Sequence, residues 1–365
     1  MSTRAGKRLR ALLQCASCRF GALYYVPFSA GMAAAGTLDV VTALLGAAFW
    51  LVLGLAIEVT NRLADRTEDA VNRPERTALC AFVGWRTLAR VQLALWGLVA
   101  AAAAVWLMRS PNAMLLLLIV SGAGFGIAYS RGPRLARRRA FVFVVLSGTF
   151  VGPFCLGFAA GDPRGAASEA GFAQLGAFVP TFWVLTLFIS SLAGAKDVTD
   201  RIGDQAIGYR SAFLAFVDRR GTVALTALAA APFAALAAFV AAGDLPARAL
   251  ALLAFLPLSA GVARAVRSVR DRPAEQMLVR EALYHHWLAF STAMLLICFP
   301  SMGLAAAVAG AWAWWIAASR LLHWSAPLRL RDLPRVARLA SASGDAPRPA
   351  SGLAVAVSAA TKGSA

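Results

Sequence analysis

Histidine and cysteine are scarce in this chain, three and five among 365 residues. Cys15 and Cys18 form a lone CxxC with no second pair, too little for a zinc site, and read as thiols beside a membrane. Cys80, Cys155 and Cys298 fall in or beside apolar runs and read as packing residues. His285 and His286 show no metal-ligand spacing and read as membrane-interface residues at the start of a span. Acidic residues are few as well, 18 Asp and Glu against 36 Lys and Arg, for a net charge of +18. That surplus invites a nucleic-acid partner until the charges are located. Most fall in six clusters, at 1–19, 60–90, 131–139, 196–220, 264–280 and 320–338, with apolar runs between them. The other intervening loops hold only Arg109, Arg164 and Arg248. A nucleic-acid binder gathers its basic residues on one face. Alternation with apolar runs is what the positive-inside rule produces instead, so no nucleic-acid partner is expected.

Period-two alternation is also missing, which favours helices over the strands of a membrane β-barrel. What is present is continuous, Ala- and Leu-rich apolar sequence. Hydrophobic residues make up 59% and the mean hydropathy is +0.66. Ten runs stand out, at about 20–36, 38–59, 86–108, 112–130, 140–160, 172–195, 222–242, 246–265, 282–300 and 302–321. Each approaches the ~20 residues that a spanning helix needs. The expected fold is an all-α polytopic membrane bundle of nine to ten transmembrane helices. No clear small-residue cleavage site follows the first run, so it reads as a retained span. Three regions follow: a basic cytoplasmic segment at 1–19, a membrane domain at 20–322 and a cytoplasmic, largely disordered tail at 323–365. Within that tail, the basic part up to Arg338 is expected to lie near the membrane. With the N-terminus inside, all six basic clusters fall on the cytoplasmic side of a plasma membrane. Gly122, Gly124 and Gly126, and the GxxxG of Gly148 and Gly152, read as helix-packing positions. Trp312, Trp314, Trp315 and Trp324 read as packing residues and interface anchors.

Two acid-bearing stretches carry the chemistry. In residues 60–76, TNRLADRTEDAVNRPER, Asn61, Asp65 and Asp69 recur every fourth residue. Successive members lie about 40° apart around a helix, so all three point one way. In AKDVTDRIGDQ, Lys196 is followed by Asp197, Asp200 and Asp204, three and then four residues apart. Both stretches end apolar runs and both fall on the cytoplasmic side. Acids gathered at a membrane are costly and usually functional. Carboxylates on two facing helix ends repel unless a cation lies between them. Mg2+ suits, because it takes oxygen ligands and commonly joins one or two carboxylates to a substrate phosphate. Arg62, Arg66, Arg73, Arg76 and Arg201 lie beside the acids, and guanidinium groups bind phosphate oxygens. The combination suggests a diphosphate head at the cytoplasmic surface and an apolar tail in the bundle. Glu58 and Glu68 fall off the shared face, and Glu68 reads as a solvated partner for an arginine.

These stretches resemble the motifs of the UbiA superfamily of intramembrane prenyltransferases. Asn61, Asp65 and Asp69 match its NDxxDxxxD, with Arg62 where an acid is usual. Lys196, Asp197, Asp200, Gly203, Asp204, Gly208, Arg210 and Ser211 match its KDxxDxxGDxxxGxRS. Tyr129, Ser130, Pro133 and Arg137 resemble its YSxxPxxxK, with Arg for Lys. After Arg76 the family's usual RPxxSG is absent, which marks a divergent branch. The resemblance implies that Asp65 and Asp69 hold one Mg2+ with help from Asn61, and that Asp197, Asp200 and Asp204 hold a second. Arg76, Arg137 and Lys196 would face the substrate diphosphate, with Tyr129 near it. The implied partners are an isoprenoid diphosphate, a lipophilic or aromatic acceptor, and membrane lipid. The implied reaction is prenyl transfer by diphosphate ionisation. Two alternatives stand beside it. A terpene cyclase of the same superfamily would need no acceptor, and a cation transporter should carry its acids near the bilayer midplane.

Overall fold

The computed structural model describes residues 4–109, 113–130, 148–161, 169–206, 212–269, 273–325 and 327–341. For several helical residues, Tyr129 and 193–206 among them, only the backbone is described. Those residues form helices, and no strand occurs among them. The first helices are α1 Arg4–Cys15, α2 Phe20–Ala34, α3 Val40–Ala64, α4 Arg66–Asn72, α5 Pro74–Val83, α6 Trp85–Arg109 and α7 Ala113–Ser130. They are followed by α8 Val151–Gly161, α9 Glu169–Gly176, α10 Val179–Ala206 and α11 Ala212–Ala241. A 3-10 segment, Ala247–Phe255, leads into α12 Leu256–Ser268. The chain closes with α13 Pro273–Cys298, α14 Met302–Leu321 and α15 Leu333–Ser341.

Each expected apolar run falls at least in part on helix. Five segments are long and apolar enough to cross a membrane: Val40–Ala64, Trp85–Met108, Ala224–Ala241, Ala247–Val266 and Met302–Leu321. The run at 246–265 differs from expectation, because it opens with the nine-residue 3-10 segment before turning α-helical. Local chemistry sets several boundaries. Asp39 caps α3: the Thr42 N–H donates to its Oδ1 at 2.8 Å, and the Asp39 N–H donates to Thr42 Oγ1 at 3.0 Å. Ser301, directly after Pro300, caps α14 and accepts from the Leu304 N–H at 3.1 Å. Pro74 opens α5, where a missing N–H costs nothing.

Among the described residues, the closest crossing joins α2 to α8. A Cβ on Gly157 would stand 2.0 Å from the Phe28 carbonyl oxygen, and one on Gly31 2.1 Å from that of Phe154. These two glycines therefore set the approach. Gly148 and Gly152, expected to do so, have no described atom within 4 Å of where a Cβ would stand, and neither do Gly122 and Gly124. Gly126 does pack, against Ile57.

The basic segment at the N-terminus forms α1, which packs on α5 through buried Ala11 and Cys15. The start of the expected tail is folded, since α15 docks on α12 and Ser268 Oγ donates to the Leu339 carbonyl at 2.9 Å. Residues 342–365 lie outside the described residues. His286 is buried and His285 half-buried, and both connect helices instead of facing the membrane interface. His286 Nε2 lies 2.7 Å from Ser259 Oγ, and Trp315 Nε1 donates to His285 Nε2 at 3.3 Å. Trp315 is fully buried and Trp312 Nε1 reaches Thr292 Oγ1 at 3.4 Å, as packing residues should.

Candidate active site

The first acidic stretch folds as a helix with a bend. α3 ends at Ala64, Asp65 stands at the corner (φ −97, ψ 24), and α4 begins at Arg66. Backbone bonds continue through the corner, from Asp65 N to Asn61 O and from Asp69 N to Asp65 O, each 2.8 Å. The every-fourth-residue relation of Asn61, Asp65 and Asp69 is thereby kept without one straight helix. A polar cluster anchors the corner to its neighbours. Thr60 Oγ1 accepts from Gln92 Nε2 at 2.8 Å and Trp96 Nε1 at 3.0 Å, which ties α3 to α6. Asn61 and Ser130 lie 3.0 Å apart, which brings the end of α7, and with it the backbone of Tyr129, to the first motif.

Asp69 is the centre of the charge arrangement. Arg62 Nη1 donates to its Oδ2 at 2.9 Å, Arg73 Nη1 to its Oδ1 at 3.2 Å, and Arg76 Nη2 also bonds Oδ1. Arg62 is only 3% exposed, and its Nη2 reaches Glu58 Oε2 at 2.8 Å. Burial alone would raise the Asp69 carboxyl, but Arg62, Arg76 and Arg73 outweigh it and hold the pKa below the usual carboxylate value. Arg76 feels the converse. Burial, with Arg62 and Arg73 beside it, pushes its guanidinium down to about 9 against the pull of Asp69, so it still carries its charge at neutral pH. Its ring neighbour is Trp324, with the guanidinium carbon 5.3 Å from the ring centroid. Arg76 borders a cleft that Ser17, Arg19, Arg280, Glu281, His323 and Trp324 also line. Glu68, expected in solvent, is buried.

The second acidic stretch lies on α10, whose backbone is helical through Lys196, Asp197, Asp200 and Asp204 to Ala206. α4 packs against this helix, so the elements bearing the two motifs are neighbours. The side chains of Lys196, Asp197, Asp200 and Asp204 lie outside the described residues, as do the Tyr129 side chain and the whole of Arg137. Helical spacing puts the three Asp Cα positions on one face, a donor set that suits Mg2+. Asp69 does not suit it. Both its oxygens already take guanidinium hydrogens, and three cations crowd the place where a divalent ion would bind. Asn61 fits poorly for a related reason. With its amide turned to satisfy its neighbours, its nitrogen donates to Asp65 Oδ2 at 2.6 Å and its oxygen accepts from Arg62 Nη2 at 2.9 Å. Among the described residues no three His, Cys, Asp or Glu side chains gather as a metal site. Sequence reasoning missed the roles of Glu58, Trp324 and Arg280. The spacing of Glu58 and Arg62, four apart on a helix, was the available signal for the first.

A profile of the UbiA prenyltransferase family matches residues 24–288, which takes in all three motifs. The chain belongs to the UbiA prenyltransferase family. Its fold agrees with solved members. A UbiA homologue from Archaeoglobus fulgidus bound to DMAPP and Mg2+ is 17% identical with a TM-score of 0.54, covering 80% of this chain and 99% of that one. A digeranylgeranylglyceryl phosphate synthase structure is 16% identical with a TM-score of 0.51, covering 82% of this chain and 100% of that one. No curated protein matches the chain. As a UbiA protein with apolar helices of spanning length, it is a multi-pass membrane protein.

Proposed function

We propose that this UbiA protein transfers a prenyl group from an isoprenoid diphosphate to a lipophilic, aromatic acceptor, with its site open to the cytoplasm at the plasma membrane. One observation carries the reading: α4 of the first motif packs against α10 of the second, as two halves of one diphosphate site must. The Archaeoglobus homologue, bound to DMAPP and Mg2+, supports the same classes of substrate and ion here.

Asp197, Asp200 and Asp204, with Asp65 from the bend, would hold magnesium. When bound, the ion draws charge onto the leaving diphosphate. Asp69 fixes Arg73 and Arg76, and Arg76 then meets phosphate oxygens together with Lys196 and Arg137. Asn61 holds Asp65 in place, and Tyr129 sits beside the reacting carbon or the diphosphate. These cations favour departure of the electron pair of the allylic C–O bond with the diphosphate. The acceptor carbon then supplies a pair to the allylic cation and loses its proton. The apolar bundle takes the prenyl tail and keeps water from the cation.

Purified protein given Mg2+, allylic diphosphates of several lengths and a panel of phenolic acceptors should form a prenylated acceptor. Asp65→Ala and Asp197→Ala should each lower turnover at least ~100-fold while the protein still elutes as a folded species, the scale of a lost electrostatic group. A cyclic hydrocarbon or alcohol formed from diphosphate alone would replace this reading with the cyclase.

A further inference from the structure

Arg62 stands where the family motif has an acid, and its surroundings say what the exchange does. The guanidinium is buried and bridges two carboxylates, 2.9 Å to Asp69 Oδ2 and 2.8 Å to Glu58 Oε2. Its Nε also donates to the Glu58 carbonyl at 3.3 Å. The second Asp69 oxygen is held by Arg73 and Arg76. The turned amide of Asn61 presents its carbonyl oxygen to Arg62 at 2.9 Å and its nitrogen to Asp65. Two of the three oxygen donors in the first motif are therefore committed to guanidinium groups. A divalent ion arriving at Asp69 would have to displace buried, charge-assisted bonds and enter a ring of three like charges.

A fixed cation does part of what a mobile ion would do. It neutralises Asp69, which leaves that carboxylate as a strut for Arg73 and Arg76. Arg76 has capacity to spare: it is almost wholly buried, its Nε has no hydrogen-bond partner among the described residues, and it borders the cleft under Trp324. A buried donor without an acceptor is costly, and an anionic oxygen would satisfy it.

We infer that Arg62 replaces the metal ion of the first motif, so that the protein binds its prenyl diphosphate with a single divalent cation, held by the second motif and Asp65, and with the Arg76 guanidinium in place of the other ion. The inference rests on the diphosphate reading above.

The test is ion stoichiometry, which needs no turnover. Full-length protein in detergent is saturated with geranyl S-thiolodiphosphate, an analogue that resists ionisation, and titrated with Mn2+ while free Mn2+ is followed by electron paramagnetic resonance. Wild type should bind one Mn2+ per chain, Asp69→Asn should also bind one, and Asp197→Asn none. Two ions per chain in wild type, a count that needs no variant to fold, would overturn the inference and leave the diphosphate reading standing. Loss of the ion in an Asp69→Asn protein that melts cooperatively would overturn it as well. Failure of wild type to bind the analogue at any Mn2+ concentration would sink the diphosphate reading itself, and the inference with it.

Discussion

Arg19 and Glu281 are 262 positions apart in sequence and nearly inaccessible, 1% and 2% exposed. They form a bidentate pair at 2.6 and 2.7 Å that joins the start of α2 to α13, and Ser319 of α14 adds a contact to Arg19 at 3.2 Å. Arg19 also lies 4.8 Å from the Trp315 ring centroid. Removing one member leaves the other buried without its charged partner, so Arg19→Ala or Glu281→Ala should cost about 3–5 kcal/mol, whereas replacing both with Met should cost less than either single change. Thermal unfolding of the three variants in detergent measures this. Asp69 supplies a pH test with a definite sign. Its folded pKa lies below the ordinary 3.8, so the folded state binds fewer protons there than the unfolded chain. Its stabilisation is then complete above the ordinary value and is lost as pH falls through the folded one. The melting gap between wild type and Asp69→Asn should stay constant from pH 7 to pH 5 and narrow only in stronger acid. A gap already closing at pH 6 would mean that the arginine ring does not hold the carboxylate ionised. At this scale the motifs were legible because charge at a membrane is rare enough to stand out. The partners were not, since the joining of Arg19 to Glu281 depends on how α2 and α13 meet, which spacing along one helix does not encode.

At the scale of elements, the α2–α8 crossing shows what small residues do and what their pattern hides. Gly31 and Gly157 each face a carbonyl oxygen of the opposite helix at a distance that no Cβ tolerates. Gly157→Ala must push the helices apart or bend one, and overpacking of this kind costs about 1–3 kcal/mol. Gly152→Ala, with open space around it among the described residues, should leave the melting temperature unchanged. Comparing the two by fluorescence-detected size exclusion after heating tests whether this crossing is the tight one. Sequence favoured Gly148 and Gly152 because GxxxG is a periodic signature. Gly157 opens a second GxxxG with Gly161, where a Cβ would stand 2.3 Å from Thr37 Oγ1, but spacing alone does not say which copy of the signature faces another helix. The bend at Asp65 was hidden for a similar reason. A four-residue repeat survives the corner, so the repeat alone cannot reveal it.

At the scale of the whole molecule, the all-helical bundle was legible from uninterrupted apolar runs, since a backbone in lipid must satisfy its own hydrogen bonds. Orientation is the part of that reading that a physical experiment can decide. Basic clusters at 60–90 and 196–220 alternate with loops poor in charge, which by the positive-inside rule would put the α3–α4 bend inside and the turn after α11 outside. Thr67, on α4, and Asp244, beside the positive-φ Gly243 after α11, are both exposed. The five native cysteines are buried or half-buried, so an introduced thiol should dominate labelling. In intact cells a membrane-impermeant maleimide should modify Asp244→Cys within minutes and leave Thr67→Cys untouched until the membrane is opened. Labelling of Thr67→Cys from outside would turn the molecule over and place the proposed diphosphate site on the outer face. Labelling of both from the same side would show that an odd number of crossings does not separate α4 from the end of α11, and the packing of α4 on α10 would then have to be reached by a different path through the membrane.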